Sequence, residues 1–201
     1  QQMQLLIEKV TEAYENFAFH RVFSLVYNFC TVQMSSIYMD VLKDRLYCDD
    51  KAGKSRASAQ TAMFNICDGL IRLLAPVLAH TAEEAWESLK FKSQDVDSVH
   101  LAFLPKPDPS INYQKDLADW DKLLGLRDEV LKSLEGLRKN QFINSNQKAA
   151  IDIVTQDAEL LALFNDFGVD AFADLCIVSS VSISGGQATV VKSDKSSYPK
   201  C

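Results

Sequence analysis

Over residues 3–92 apolar side chains return every three or four positions. Leu6, Val10 and Tyr14 form one stripe. Phe19, Val22, Phe23, Val26 and Cys30 form a second, and Met63, Ile66, Cys67, Leu70, Leu73 and Leu74 a third. This period is helical, and it predicts four or five helices packed antiparallel as a bundle over 1–92. Pro76 should interrupt or kink the third stripe. In "HTAEEAW", Thr81 offers an N-cap with Glu84 three residues on, the capping-box arrangement that starts a new helix.

The pattern then changes twice. Residues 93–118 hold three prolines and no helical period, and read as a linker lying over the bundle. From Asp119 a helix returns, its stripe made of Trp120, Leu123, Leu124, Val130, Leu131, Leu134 and Leu137. Arg127, Lys132, Arg138 and Lys139 stand among its polar positions. After Asn144, "KAAIDIVT" reads as a strand, "DAELLALFNDFG" as a helix closed by Gly168, "LCIVSSVSIS" as a strand, Gly185-Gly186 as a turn and "QATVVKS" as a strand. The expected fold is mainly α, an antiparallel helix bundle followed by a small α+β unit over 119–201.

The composition of the 201 residues, 47% hydrophobic and 24% charged, suffices to bury a core, and the net charge of -6 gives no general attraction to nucleic acid or anionic membrane. RNA binding would need a local patch. No apolar run approaches the ~18 residues of a membrane span. Five cysteines without C-x-x-C spacing fit a reducing, cytoplasmic compartment, with Cys30 and Cys67 as small hydrophobes inside helical patterns. The opening "QQMQLLIEKV" has no signal-peptide layout and reads as a chain entered mid-helix, the mark of a piece of something longer.

Catalytic chemistry is hard to find. The Gly-Gly pair reads as a turn, and His20, His80 and His100 are scattered without ligand-spaced partners. Asp40 and Asp44 share a helix face, but Lys43 between them favours charge balance over a metal. What stands out is "IYMDVLKDRLYCDDKAGKSRASAQ". Lys43 to Arg56 holds Lys43, Arg45, Lys51, Lys54 and Arg56 against three aspartates. At about 100° per residue Lys43 and Tyr47 share one outward arc, and Arg45 falls on the apolar arc, either against Tyr38 or paired with a core-edge carboxylate. An ordinary solvated helix end explains this stretch blandly. Cations beside an exposed tyrosine also suit RNA, offering phosphate contacts and base stacking. Arg127, Arg138 and Lys139 would then form a second wall or, equally, an ordinary amphipathic surface.

Three elements carry a family resemblance: S-x-x-Y-x-x-x-x-K-D-R-L-Y (Ser35 to Tyr47), A-P-x-L-x-x-T-A-E-E-x-W (Ala75 to Trp86) and L-R-x-x-V-x-x-x-L-E (Leu126 to Glu135). With "SVHLAFLP" between the last two, the chain resembles the anticodon-binding and C-terminal junction region of bacterial-type isoleucyl-tRNA synthetases, class I aminoacyl-tRNA synthetases. The resemblance implies that Lys43 and Arg45 lie beside the anticodon stem-loop of isoleucine tRNA, where the charge and aromatic pattern adds Tyr47 and Lys54 as candidates. It also implies that Arg56 and Gln60 line the same surface, and that Arg127, Arg138 and Lys139 support it from the C-terminal side. It implies a parent ligase that attaches isoleucine to its tRNA with ATP and magnesium, with the catalytic and editing domains outside this chain. Cys201 would be the first ligand of a zinc site whose other ligands are missing, so the piece itself should hold no cofactor and be inactive. The implied protein is a cytoplasmic monomer with no membrane or DNA partner. Asn144, where the family usually has Gly, is a departure. Other readings are the equivalent domain of valyl-tRNA synthetase, which usually ends in a coiled coil, and a helical protein-interaction module without RNA binding.

Overall fold

The computed structural model describes residues 1–89, 93–110, 113–186 and 190–196, with the backbone alone at 113–115, 190 and 195. Two compact units divide the chain, Gln1–Tyr113 and Gln114–Cys201. The architecture is mainly α with a three-stranded sheet in the second unit.

In the first unit, α1 (Gln2–Glu15) and α2 (Phe19–Asn28) pack on each other, and α1 also packs on α5 (Lys54–Leu74). Their apolar stripes merge into one core of Met3, Leu6, Val10, Val22, Val26 and Leu73 with their neighbours. Helices meet closely because Gly69 leaves room: a Cβ there would stand 2.5 Å from Met3 Cε. Tyr14 adds a polar tie, its hydroxyl donating to the Leu73 carbonyl at 2.7 Å. Cys30 is half-buried against this core, but Cys67 is exposed although it stands at the spacing of the stripe expected to hold it.

Directly after α2 the chain widens into a π-helical segment, Phe29–Tyr38, where the apolar period predicted uniform α-helix. The hydroxyls offer a physical reason. Ser36 Oγ donates to the Thr31 carbonyl five residues back at 2.9 Å, the π spacing, and Thr31 Oγ1 donates to Tyr27 at 2.8 Å. Two short helices follow, α3 (Met39–Val41) and α4 (Lys43–Tyr47).

Helix α5 ends two residues before Pro76, and α6 (Ala79–Ser88) restarts almost at once. The capping box expected at Thr81 does not form, because the chain is already helical there. Leu78 is the N-cap position and its carbonyl accepts from Ala82 N. Glu83 is used instead: its carboxylate accepts from Ser98 Oγ at 2.8 Å and Val99 N at 3.0 Å, drawing the segment after α6 onto the helix. Trp86 and Val99 are buried together with Ile71, Ala75 and Ala82 in a second core. Beneath this segment the buried Asp68 pairs with Arg72 at 2.6 Å, and Arg72 reaches on to the Phe103 carbonyl at 3.1 Å.

The second unit begins with α7 (Tyr113–Lys139). After it come β1 (Ala149–Thr155), α8 (Ala158–Phe167), α9 (Val169–Cys176), β2 (Ser180–Gly185) and β3 (Val190–Lys195). The sheet order is β2-β1-β3, with β1 parallel to β2 and antiparallel to β3. Asp157 caps α8, its carboxylate accepting from Glu159 N and Leu160 N. Gly168, at φ 91°, lets one helix end and the next begin without an intervening loop. The strand expected over "LCIVSSVSIS" starts only at Ser180. Leu175 and Cys176 close α9, and Ile177 ends it in the left-handed region at φ 57°. Gly186 passes close over β1, its N–H donating to the Thr155 carbonyl, where a Cβ would meet Val154 Cγ1 at 2.0 Å.

Candidate nucleic-acid interface

The basic stretch folds into α4, a turn, and the first turns of α5, and the two helices pack on each other. The turn is closed by Asp50, whose carbonyl accepts from Gly53 N at 2.9 Å and whose side chain accepts from Ala52 N at 3.2 Å. This brings Lys43, Tyr47, Lys51, Lys54, Arg56 and Gln60 onto two adjoining elements of one unit.

Each side chain is placed as follows. Lys43 is exposed and its ammonium lies 2.7 Å from Asp40 Oδ1; that hydrogen bond, then the aspartate's charge, raise its pKa. Tyr47 is 81% exposed, an aromatic face with nothing covering it. Arg45 is half-buried and near enough to Tyr38 for its charge to lower that phenol's pKa against a larger upward push from burial. Of the two placements open for Arg45, this is the one beside Tyr38. Lys51, Lys54 and Gln60 are exposed, and Arg56 is half-buried.

Helix α5 sharpens the electrostatics. It starts at Lys54 with no side-chain cap and no acidic residue in its first turn. Free N–H groups and the positive end of the helix dipole thus coincide with Lys54 and Arg56. Cations here work against the isolated fold, and all these partial and full charges suit a phosphate.

The second group divides. Arg138 and Lys139 are exposed in the last turn of α7, Lys139 standing 4.0 Å from Glu135. Arg127 does not belong with them. It is 8% exposed, and its Nε donates to the Leu175 carbonyl at 3.0 Å, pinning the end of α9 to α7. Its charge also lowers the pKa of Cys176 slightly, against burial that pushes this thiol up to about 12. A buried guanidinium spent on the protein's own backbone offers no wall to RNA. Sequence reasoning missed Phe142, 63% exposed just beyond Lys139, after the chain turns at Gln141 with φ 58°. An aromatic shortly after two cations was the available signal.

Cys201 lies outside the described residues, and among those described no three His, Cys, Asp or Glu side chains come together as a metal site. No described helix is long and apolar enough to cross a membrane.

Residues 1–154 match the family described as the anticodon-binding domain of tRNA ligase. The isoleucine-tRNA ligase of Caldicellulosiruptor saccharolyticus is 36% identical over 193 residues, 96% of this chain and 21% of that protein. That of Symbiobacterium thermophilum is 38% identical over 188 residues, covering 92% and 20%. That of Brachyspira hyodysenteriae is 37% identical over 205 residues, covering 96% and 21%. The chain spans about a fifth of the length of these relatives.

Proposed function

The chain belongs to the anticodon-binding domain family of tRNA ligases, and from that premise we propose that it is the anticodon-recognising part of a cytoplasmic, monomeric isoleucine-tRNA ligase. In this reading the longer protein attaches isoleucine to its tRNA with ATP and magnesium and holds zinc at a site of which Cys201 would be the first ligand. This chain contributes binding and no bond-making step. Its relatives carry the isoleucine name, which favours that amino acid over valine. A family defined by tRNA ligases favours RNA over a purely protein partner.

The observation that carries the reading is the α4–α5 turn, where exposed Lys43 beside the uncovered ring of Tyr47 is followed by exposed Lys51 in the turn and Lys54 at an uncapped helix start. Lysines would hold the phosphates of the anticodon stem-loop and fix orientation. Tyr47 and Gln60 would meet unstacked bases by stacking and hydrogen bonding. Arg56 would support the same surface, and Arg45 would act by positioning Tyr38 and α4. Arg138 and Lys139 would supply a second group of contacts from the other unit.

Binding of isoleucine tRNA, compared with a version carrying a swapped anticodon, across a salt series tests this. The expected result is tighter binding to the cognate anticodon, and Lys43→Ala should reduce the salt slope by about 0.7–0.9, one phosphate's worth. Equal affinity for both RNAs, or a Lys43→Ala slope equal to the parent's, would overturn the specificity or the residue assignment respectively.

A further inference from the structure

In the first unit, α1 and the strap formed by residues 103–107 flank an open surface groove of about 490 Å³. Its helix wall presents Glu8, Thr11, Glu12 and Glu15, and the strap faces them with Phe103, two prolines and Lys106. Its open side suits an extended chain lying along it better than a small molecule held within it.

Both walls are held in place by the fold. Phe103 N donates to Gln94 Oε1 at 2.9 Å, while its carbonyl accepts from Gln94 Nε2 at 3.2 Å and from Arg72 at 3.1 Å. Arg72 is itself anchored on buried Asp68. Beyond the strap, Asp108 N donates to Gln4 Oε1 at 2.7 Å, tying that end back to α1. Pro105 and Pro107 restrict the backbone between these anchors. With its main chain fully engaged, Phe103 still leaves its ring 79% exposed. A pre-formed groove of this kind loses little entropy on binding.

Its chemistry is selective. The lining is mostly apolar, and Thr11 Oγ1 is closed off from solvent with no hydrogen-bond partner among the described residues. Glu8, Glu12 and Glu15 follow one face of α1 at spacings of four and three, a repulsive arrangement for the isolated helix. Among the described residues no cation lies within salt-bridge distance of Glu12 or Glu15, and Lys106 makes no ion pair there. Three carboxylates against the one lysine, Lys106, make the groove unfavourable for phosphate, which argues against RNA as occupant. An extended peptide alternating aliphatic and basic side chains satisfies both the apolar lining and the carboxylates.

We propose that this groove docks a basic, extended segment of a partner protein. An aliphatic side chain sits between α1 and Phe103, and flanking Arg or Lys side chains pair with Glu12 and Glu15. The probe is acetyl-Arg-Leu-Arg-Leu-Arg-amide, titrated into the ¹⁵N-labelled full chain, with acetyl-Glu-Leu-Glu-Leu-Glu-amide as its charge-reversed control. The basic peptide should shift the amide signals of Thr11, Glu12, Phe103 and Lys106, and the control should shift none. Joint Glu12→Gln and Glu15→Gln substitution should weaken binding about five-fold, the sum of two surface charge pairs. Phe103→Ala should weaken it too, with the melting temperature of each variant unchanged. The proposal is overturned by an absence of shifts up to about 1 mM peptide, by shifts spread over other acidic surfaces, or by affinity indifferent to these substitutions. It is equally overturned if the signals track concentration-dependent self-association, which would make a second copy the occupant.

Discussion

Lys54 opens α5 where a protein concerned only with stability would place an acid. The helix there has no side-chain cap, and its dipole repels a cation. Replacing Lys54 by Glu should therefore stabilise the fold by about 0.3–1 kcal/mol while weakening tRNA binding. Denaturant melts and binding isotherms on the same variant would check both, and a loss on both measures would refute the argument. Arg127 is the reverse case, a cation spent on packing. Its position was open to view in the sequence: with Leu123 four before it, Val130 three after and Leu134 seven after, it lies on the apolar stripe of α7. Counting it as polar because it is charged ignored that angle. Arg45 was placed correctly by the same geometric argument, since the stretch Tyr38 to Tyr47 is helical enough for the angles to hold. The exposure of Cys67, at the same spacing as Leu70 and Leu74, is not set by the helical angle, and Cys176 is buried at the end of α9.

At the scale of elements, helices with a strong period were legible and their joints were not. The π segment depends on where Thr31 and Ser36 direct their hydroxyls, which no apolar count encodes. Leu175 and Cys176 could end a helix or begin a strand, because a short apolar run lacks a period to decide it; the left-handed Ile177 decides it here. Tyr14 ties two elements together and gives a pH prediction. Burial raises its pKa from 10.0 to about 12. The folded value lies above the unfolded one, so the stabilisation is fully present below pH 10.0 and is lost as pH rises through about 12. Absorbance titration of tyrosinate should show a step near pH 12 that is absent in Tyr14→Phe, distinct from that of Tyr38, which burial also raises, and the alkaline melting of this variant should be correspondingly less steep in pH. The Asp68–Arg72 pair carries more of the joint between α5 and the strap. Arg72→Met strands a buried carboxylate and should cost about 3 kcal/mol in denaturant unfolding. It should also release Phe103, which fluorescence of a Phe103→Trp reporter would detect as a loss of quenching or shift contrast between parent and variant.

The whole molecule carries a net charge of -6, and its exposed cations are spread over many elements, from Lys9 on α1 to Lys192 on β3. RNA cannot be drawn in by the overall field; it must be held by local contacts against that field. In the first unit, Lys43, Lys51, Lys54 and the half-buried Arg56 are the cations the α4–α5 turn offers. Each phosphate neutralised contributes about 0.7–0.9 to the salt dependence, so these four cap the slope near about -3 to -4 for contacts at this turn. Arg138 and Lys139 would add at most about two more, through a unit that folds around its own sheet. A measured slope near -3 that falls with Lys43→Ala, Lys51→Ala and Lys54→Ala, and is insensitive to Arg138→Ala and Lys139→Ala, would place recognition on the helical unit alone. A slope near -5 that responds to both sets would require both units on one RNA. Polyuridine, which offers phosphates without a folded anticodon loop, should bind weakly in either case, because only shaped RNA can satisfy the cations without approaching the acidic remainder. Tight polyuridine binding at moderate salt would mean that the turn reads charge alone, and that Tyr47 and Gln60 contribute no selectivity.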